Sequence, residues 1–212
     1  MEKSLSQIPT KRLAEELAQR LDLRKNDEFL EPDIFKLRTE LGPIICTDGI
    51  PVRQISGRVE GGIIRRNTGH YRGKFSIIGG VIAYGETIEN ALRRHFRTDI
   101  GMEIGFLDIL DIRHPVGIFQ YHGLKSQRIN EHPPFLPEPT KHAVALTYLV
   151  TIPENREPIF GSSAYGQEAS EFVWHSLETC PPEQEFGYGT HSVFRECLEH
   201  AEKLFMQKLF CQ

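Results

Sequence analysis

Leu13, Leu17 and Leu21 recur at every fourth position with charges between them, which predicts one apolar stripe on an amphipathic helix. Pro9-Thr10 supplies its start, and the charged run Arg24-Lys25-Asn26-Asp27-Glu28 reads as a linker after it. A short helical segment is expected after Pro32. Further on, GRVEGGIIRR (57–66) reads as a strand or hairpin, and Phe75 to Ile78 as a short apolar strand leading into the pair Gly79-Gly80. A helical period covers 87–100. Ile104 to Ile112 and Gly117 to Tyr121 read as strands, and HPPFLPEPT (132–140) as a proline-rich loop too poor in donors for a central strand. His142 to Ile152, rich in Val, Leu, Thr and Tyr, is a strong strand; Glu171 to His175 is a short one holding the only tryptophan, Trp174. From about Thr190 a last helix carries Val193, Phe194, Cys197, Leu198, Ala201, Leu204 and Phe205 on its apolar side. Mixed strands with one central and one terminal helix predict an α+β fold in an α/β/α sandwich.

The central helix carries an anomaly. At ~100° per residue, Ile88, Ala91, Leu92 and Phe96 share an arc of roughly 140°, and His95 and Asp99 fall inside it. Asn90, Arg93 and Arg97 form the outer face. A carboxylate on an inward stripe is unfavourable unless it is paired or binds metal. Asp99 is therefore a ligand, the partner of a buried cation, or a group at the mouth of a cleft. His95 is either a ligand or a satisfied core histidine; imidazole suits Zn²⁺ or Mn²⁺ better than Mg²⁺.

Composition narrows the function class. A chain of 212 residues is one domain with additions or at most two small ones. A net charge of −4 with no long basic run gives no sign of nucleic-acid binding. The four cysteines are scattered with no C-x-x-C pair, so reduced thiols are expected rather than a disulfide framework or a zinc site. The polar N-terminus does not read as a signal peptide, and the most apolar run, Ala143 to Val150, is too short to span a bilayer. A soluble cytoplasmic protein is the expectation.

Residues 79–101, GGVIAYGETIENALRRHFRTDIG, resemble the Nudix box of Nudix hydrolases. Gly80, Glu86, Arg94, Phe96, Gly101 and Met102 occupy matching positions; His95 and Thr98 replace glutamates, and Asp99 replaces a third. The resemblance implies a Nudix-type α/β/α sandwich with a mixed sheet plus N- and C-terminal helices. Its segments would be a helical extension over 1–35, a Nudix-like domain over 36–180, and a helix within 181–212 packed on that domain. It implies Mg²⁺ or Mn²⁺ as cofactor and a structural ion pair between Glu86 and Arg94, with Gly101 closing the helix.

Flanking segments resemble the GDP-mannose mannosyl hydrolases, a Nudix branch with a reduced box that cuts at the sugar carbon. GGIIRRNTGHYRGKFSIIGG, VGIFQYHG, KHAVALTYLV and QEASEFVW carry that similarity. It implies a metal held by the Gly79 carbonyl, Asp99 and Gln167, with His95 as a further candidate. It also implies Glu168 in the position of the base and Arg66 on the diphosphate. Gly80, Tyr121 and His122 would face substrate. Val81 and Ile78 stand where that branch has arginine and proline. The implied reaction is metal-dependent hydrolysis of a nucleoside diphosphate linked to another moiety, a nucleotide sugar foremost. Two alternatives stand beside it: a nucleotide-binding module that has lost catalysis, and an ADP-ribose or dinucleotide pyrophosphatase. A homodimer is expected, and the Leu13/Leu17/Leu21 stripe would serve either its interface or the protein's own core.

Overall fold

The computed structural model describes residues 42–122, 136–137, 142–153, 156–159 and 168–210. The expected N-terminal helix with its leucine stripe, the segment after Pro32 and Gln167 lie outside them.

Strand β1 (Ile44–Ile55) is central. It turns through Ser56 (φ 50°) and Gly57 (φ 79°) into β2 (Arg58–Arg66). Two left-handed residues between paired strands are the type I′ geometry that matches strand twist. Next come β3 (Phe75–Ser76), β4 (Ile78–Val81) and helix α1 (Ile88–Ile100). Strands β5 (Gly117–His122), β6 (Leu136–Pro137), β7 (Ala143–Thr151) and β8 (Ala169–His175) follow, then helix α2 (Thr190–Phe210). Among the described residues the sheet has eight strands in the order β3-β2-β1-β7-β5-β6, with β4 also on β1 and β8 also on β2. β1 with β7 and β5 with β6 run parallel; the remaining pairs are antiparallel.

Helices cover both faces of this mixed sheet. Ile50, Val52, Ile63 and Leu149 pack with Val193, Phe194, Cys197 and Leu198 of α2. Ile64, Ile78, Tyr148 and Val150 pack with Leu92, Phe96 and Ile100 of α1. Neighbours such as Ile63 and Ile64 serve opposite layers because side chains alternate along a strand. Both helices approach closely. A Cβ on Gly49 would lie 2.5 Å from the Phe96 ring, and one on Gly61 2.7 Å from the Phe194 ring.

Three expectations are corrected. The sequence reading assigns no strand at 44–55, because Asp48, Gly49 and Pro51 are poor strand residues. Pro51 falls where β1 changes neighbour: pairing with β4 ends at Gly49 and pairing with β2 begins at Val52. The expected strand at Ile104–Ile112 is instead a 3-10 turn, Phe106–Asp108, with a lone bridge from Ile109 to Val150. Asp108 accepts the Gly105 N–H at 2.7 Å, and Asp111 is left-handed (φ 45°), so turn chemistry overrides the apolar run. Phe75 to Ile78 splits at Ile77, since β3 joins β2 while β4 joins β1. Within the proline-rich segment only Leu136–Pro137 is described, as an edge strand, where a proline is tolerated. Among the described residues no helix is long and apolar enough to cross a membrane.

Candidate active site

The turn before α1 is held by Glu86. Its carboxylate takes Arg94 Nε at 2.8 Å on one oxygen and an Arg94 terminal nitrogen at 2.8 Å on the other. The second oxygen also accepts the Ala83 N–H at 2.8 Å, and Arg94 donates to the Val81 carbonyl at 2.9 Å. Burial opposes the charge on Glu86, but these donors hold its pKa below the usual value. Thr87 then caps α1, accepting the Asn90 N–H at 3.2 Å. Gly101 ends the helix at φ 64°, where its N–H reaches the Arg97 carbonyl and that of Met102 reaches Phe96.

This scaffold aims two polar residues inward. His95 is 8% exposed and places Nε2 3.3 Å from the Val81 carbonyl. A carbonyl only accepts, so Nε2 carries the proton. Burial, then the Arg94 charge, pushes the His95 pKa down to about 4. His95 also lies over Gly80, where a Cβ would come within 2.8 Å of its ring. Its ring is thus packed between Val81 and Gly80.

Asp99, one turn later, is 3% exposed. The Thr98 hydroxyl donates to it at 2.9 Å, and the Gly79 N–H also bonds it. Burial, then the charge of Glu168, raises its pKa to about 7; Thr98, Gly79 and Arg66 act in the other direction. Glu168 reaches the same place through its backbone, whose carbonyl accepts the Asn67 N–H at 2.8 Å. The pairing of β2 with β8 slips between Arg65 and Arg66, and such a bulge re-aims side chains. Arg65 is bound to Glu171 at 2.7 Å and lies over Phe75. Arg66 donates Nε to the His70 carbonyl at 3.2 Å and acts on Asp99 by its charge.

Four expected residues, Gly79, Asp99, Glu168 and Arg66, are thus brought together by β4, the end of α1, the start of β8 and the end of β2. Gly79 sits at φ 150°, and a Cβ there would collide with the Asp48 carboxylate and the Thr47 carbonyl. Tyr121 does not join them. It is 7% exposed on β5, in the field of Asp48, Cys46 and Cys197, and burial drives its pKa well above normal. Its pairing with Ala143 puts it on the α2 face of the sheet, so strand alternation removes it from Asp99. The His122 ring lies 4.9 Å from that of His142, tilted by 47°, with β7 and β1 between its strand and β2. Sequence reasoning missed Tyr188, over which Arg66 lies, and Tyr71, whose ring meets that of Tyr188.

The set suits a hard cation. A buried carboxylate, Asp99, faces the charge of an exposed one, Glu168, and Mg²⁺ takes one or two carboxylates and completes its shell with water and phosphate oxygens. Among the described residues no group of three or more His, Cys, Asp or Glu converges as an all-protein cage.

Comparison with known proteins adds the relationship. Residues 26–202 match the family described as "Domain of unknown function (DUF4916)". The chain belongs to the DUF4916 family. No curated protein sequence matches it. A possible asymmetric diadenosine tetraphosphate hydrolase from Jonesia denitrificans is similar in structure with a TM-score of 0.58 and 23% identity, over 76% of this chain and 96% of that one. The Nudix domain of NrtR from Shewanella oneidensis, complexed with ADP ribose, gives 0.53 and 12%, over 81% and 93%. A C. elegans Ap4A hydrolase binary complex gives 0.53 and 12%, over 74% and 97%. This DUF4916 chain therefore has the Nudix fold, the α/β/α sandwich expected from its sequence, with the Asp99 group at the end of the helix that its Nudix-like box forms.

Proposed function

We propose that this protein is a divalent-metal-dependent hydrolase of a nucleoside diphosphate linked to another moiety. The carrying observation is the approach of the exposed Glu168 to the buried Asp99, whose charge Glu168 opposes and a cation between them would favour. In this reading Asp99, the Gly79 carbonyl and Gln167 would hold Mg²⁺ or Mn²⁺. The cation would supply Lewis acidity and neutralise a leaving phosphate. Arg66 forks onto the diphosphate, and Gly80 leaves the space that the His95 ring fills. Glu168 orients and deprotonates the attacking water. Glu86, Arg94 and Gly101 shape the turn and the helix end without touching substrate, and His95 supports Val81.

The finer choice of substrate lies between a nucleotide sugar such as GDP-mannose, from the flanking resemblance, and ADP-ribose or a dinucleotide. The ADP ribose bound by the NrtR Nudix domain and the Ap4A hydrolases of the same fold support the second group equally well. A second reading, a nucleotide-binding module without turnover, has its own support. His95 and Thr98, at two box positions where glutamates are usual, are engaged within the protein, with Val81 and with Asp99.

The test is turnover of a panel of nucleotide sugars, ADP-ribose and dinucleotides with Mg²⁺ or Mn²⁺, wild type beside Asp99→Ala, in ¹⁸O-labelled water. Metal-dependent turnover lost in the variant supports the hydrolase. Label in the phosphate marks attack at phosphorus, and label in the sugar marks attack at carbon. Binding without turnover by the wild type moves the assignment to the binding module.

A further inference from the structure

Arg66 is held from two sides. Its Nε donates to the His70 carbonyl at 3.2 Å, which fixes one edge of the guanidinium plane. Its Cζ lies 5.2 Å from the centroid of the Tyr188 ring. That ring meets the edge of Tyr71 at a centroid distance of 4.6 Å and 65° between planes. Tyr71 belongs to the loop between β2 and β3, and Tyr188 to the turn before α2.

Both tyrosines have left-handed backbones, φ 60° at Tyr71 and φ 55° at Tyr188. Such a conformation is unfavourable for an aromatic residue and persists only where surrounding contacts over-determine it. The contacts are present. Gly187 lies against Tyr71, where a Cβ would come within 2.6 Å, and the Gly187 N–H donates to the Phe75 carbonyl at 2.8 Å. The Thr190 hydroxyl and N–H both donate to the Gly187 carbonyl. One strained position, Tyr188, thus lies against the guanidinium, and the other, Tyr71, lies against Tyr188.

We infer that Tyr188, braced by Tyr71, is a positioning residue that aims Arg66 at the Asp99–Glu168 site and so sets the affinity for a diphosphate. The inference rests on the assignment of Arg66 as the diphosphate contact. An arginine side chain has many rotamers, and restraining it before binding removes an entropy loss at the moment of binding. A ring face under the guanidinium also favours its charge.

The test is calorimetric titration with inorganic pyrophosphate and with ADP, each with Mg²⁺. The proteins are wild type, Tyr188→Asn, Tyr188→Phe, Tyr71→Asn, Arg66→Ala and the Tyr188→Asn/Arg66→Ala double variant. Asparagine removes the ring yet tolerates a positive φ, and unchanged circular dichroism checks the fold. Tyr188→Asn is expected to weaken both ligands by the same factor, roughly tenfold. Tyr188→Phe keeps the ring and loses only the long 3.5 Å hydrogen bond from its hydroxyl to the His70 carbonyl, so it keeps most of the affinity, while Tyr71→Asn acts in the same direction as Tyr188→Asn. In the Arg66→Ala background the Asn substitution changes nothing further, since the effect runs through Arg66.

Unchanged affinity in Tyr188→Asn, additive effects in the double variant, or weaker ADP with unchanged pyrophosphate would each overturn the positioning role. The last result would mean that the ring stacks on the base. If Arg66→Ala weakens binding and Tyr188→Asn does not, only the positioning role falls. If the wild type binds neither probe, or Arg66→Ala changes nothing, the assignment of Arg66 falls with it. The turnover panel decides the hydrolase separately.

Discussion

His95 and Asp99 stand one turn apart on the buried face of α1, and burial drives their protonation in opposite directions. His95 is pushed down to about 4 and Asp99 up to about 7, so between these values both are uncharged. The helix thereby places two ionisable groups inside the protein without carrying a charge on either.

The two groups have opposite effects on stability. Between its unfolded value of 6.5 and about 4, His95 takes up a proton more readily in the unfolded chain, so its contribution is present above 6.5 and lost as pH falls. Between 3.8 and about 7, Asp99 holds its proton more tightly in the folded chain, so its contribution is present below 3.8 and lost as pH rises. The effects are on the order of 3 kcal/mol for His95 and about 4 kcal/mol for Asp99, and over their shared window they oppose. Relative to wild type, Asp99→Asn is expected to give a stability that rises with pH from 4.5 to 6.5, and His95→Gln one that falls. Urea unfolding across that range measures both slopes; slopes of equal sign would refute the account.

Glu168 acts on Asp99 by repulsion, second to burial. Glu168→Gln should lower the titration midpoint of the Asp99 carboxyl below that of wild type, read from its ¹³C chemical shift. A midpoint that does not move would separate the two carboxylates and remove the basis for a shared cation.

Magnesium should stabilise the wild type at pH 7.5, because a bound cation favours the ionised Asp99 that burial disfavours. The same addition should leave the melting temperature of Asp99→Ala unchanged, and that variant should lose metal-dependent turnover while keeping its circular dichroism spectrum. Equal shifts in both proteins would place the cation elsewhere.

The Glu86–Arg94 fork is mostly shielded, with side-chain exposures of 14% and 22%. Glu86→Gln should destabilise the protein by about 1–3 kcal/mol, since a charged, two-point hydrogen bond is broken beside the Val81 carbonyl. Arg94→Lys should not substitute for arginine, because an ammonium cannot make both contacts. Thermal unfolding of the two variants provides the check.

Gly61 has no room for a side chain beneath Phe194. Gly61→Ala should cost about 1–3 kcal/mol through forced movement of that ring. Adding Phe194→Leu should recover part of the loss in a double-variant unfolding experiment. Additive losses would point to backbone strain instead.

The helices, most strands and the inward placement of Asp99 were legible in the sequence because period and capping are local. The 3.6-residue stripe and Gly101 mark α1 from local sequence alone, while the Thr87 cap came from the structure. The box spacing likewise set Glu86 and Arg94 eight residues apart, and the turn before α1 folds Glu86 back onto Arg94. Strand β1 was not legible, because Asp48, Gly49 and Pro51 are tolerated there for tertiary reasons: the Phe96 ring fills the space above Gly49, and Pro51 sits where β1 changes partner. The face occupied by Tyr121 followed from its register with β7, and the distinction between Arg65 and Arg66 from a bulge against β8. Register and bulges arise from pairing between segments about 100 residues apart, as with Arg65 and Glu171. Local periodicity carries no record of such pairing, so the sequence determined which residues form helix α1, and only the tertiary structure decided which side chains meet at its end.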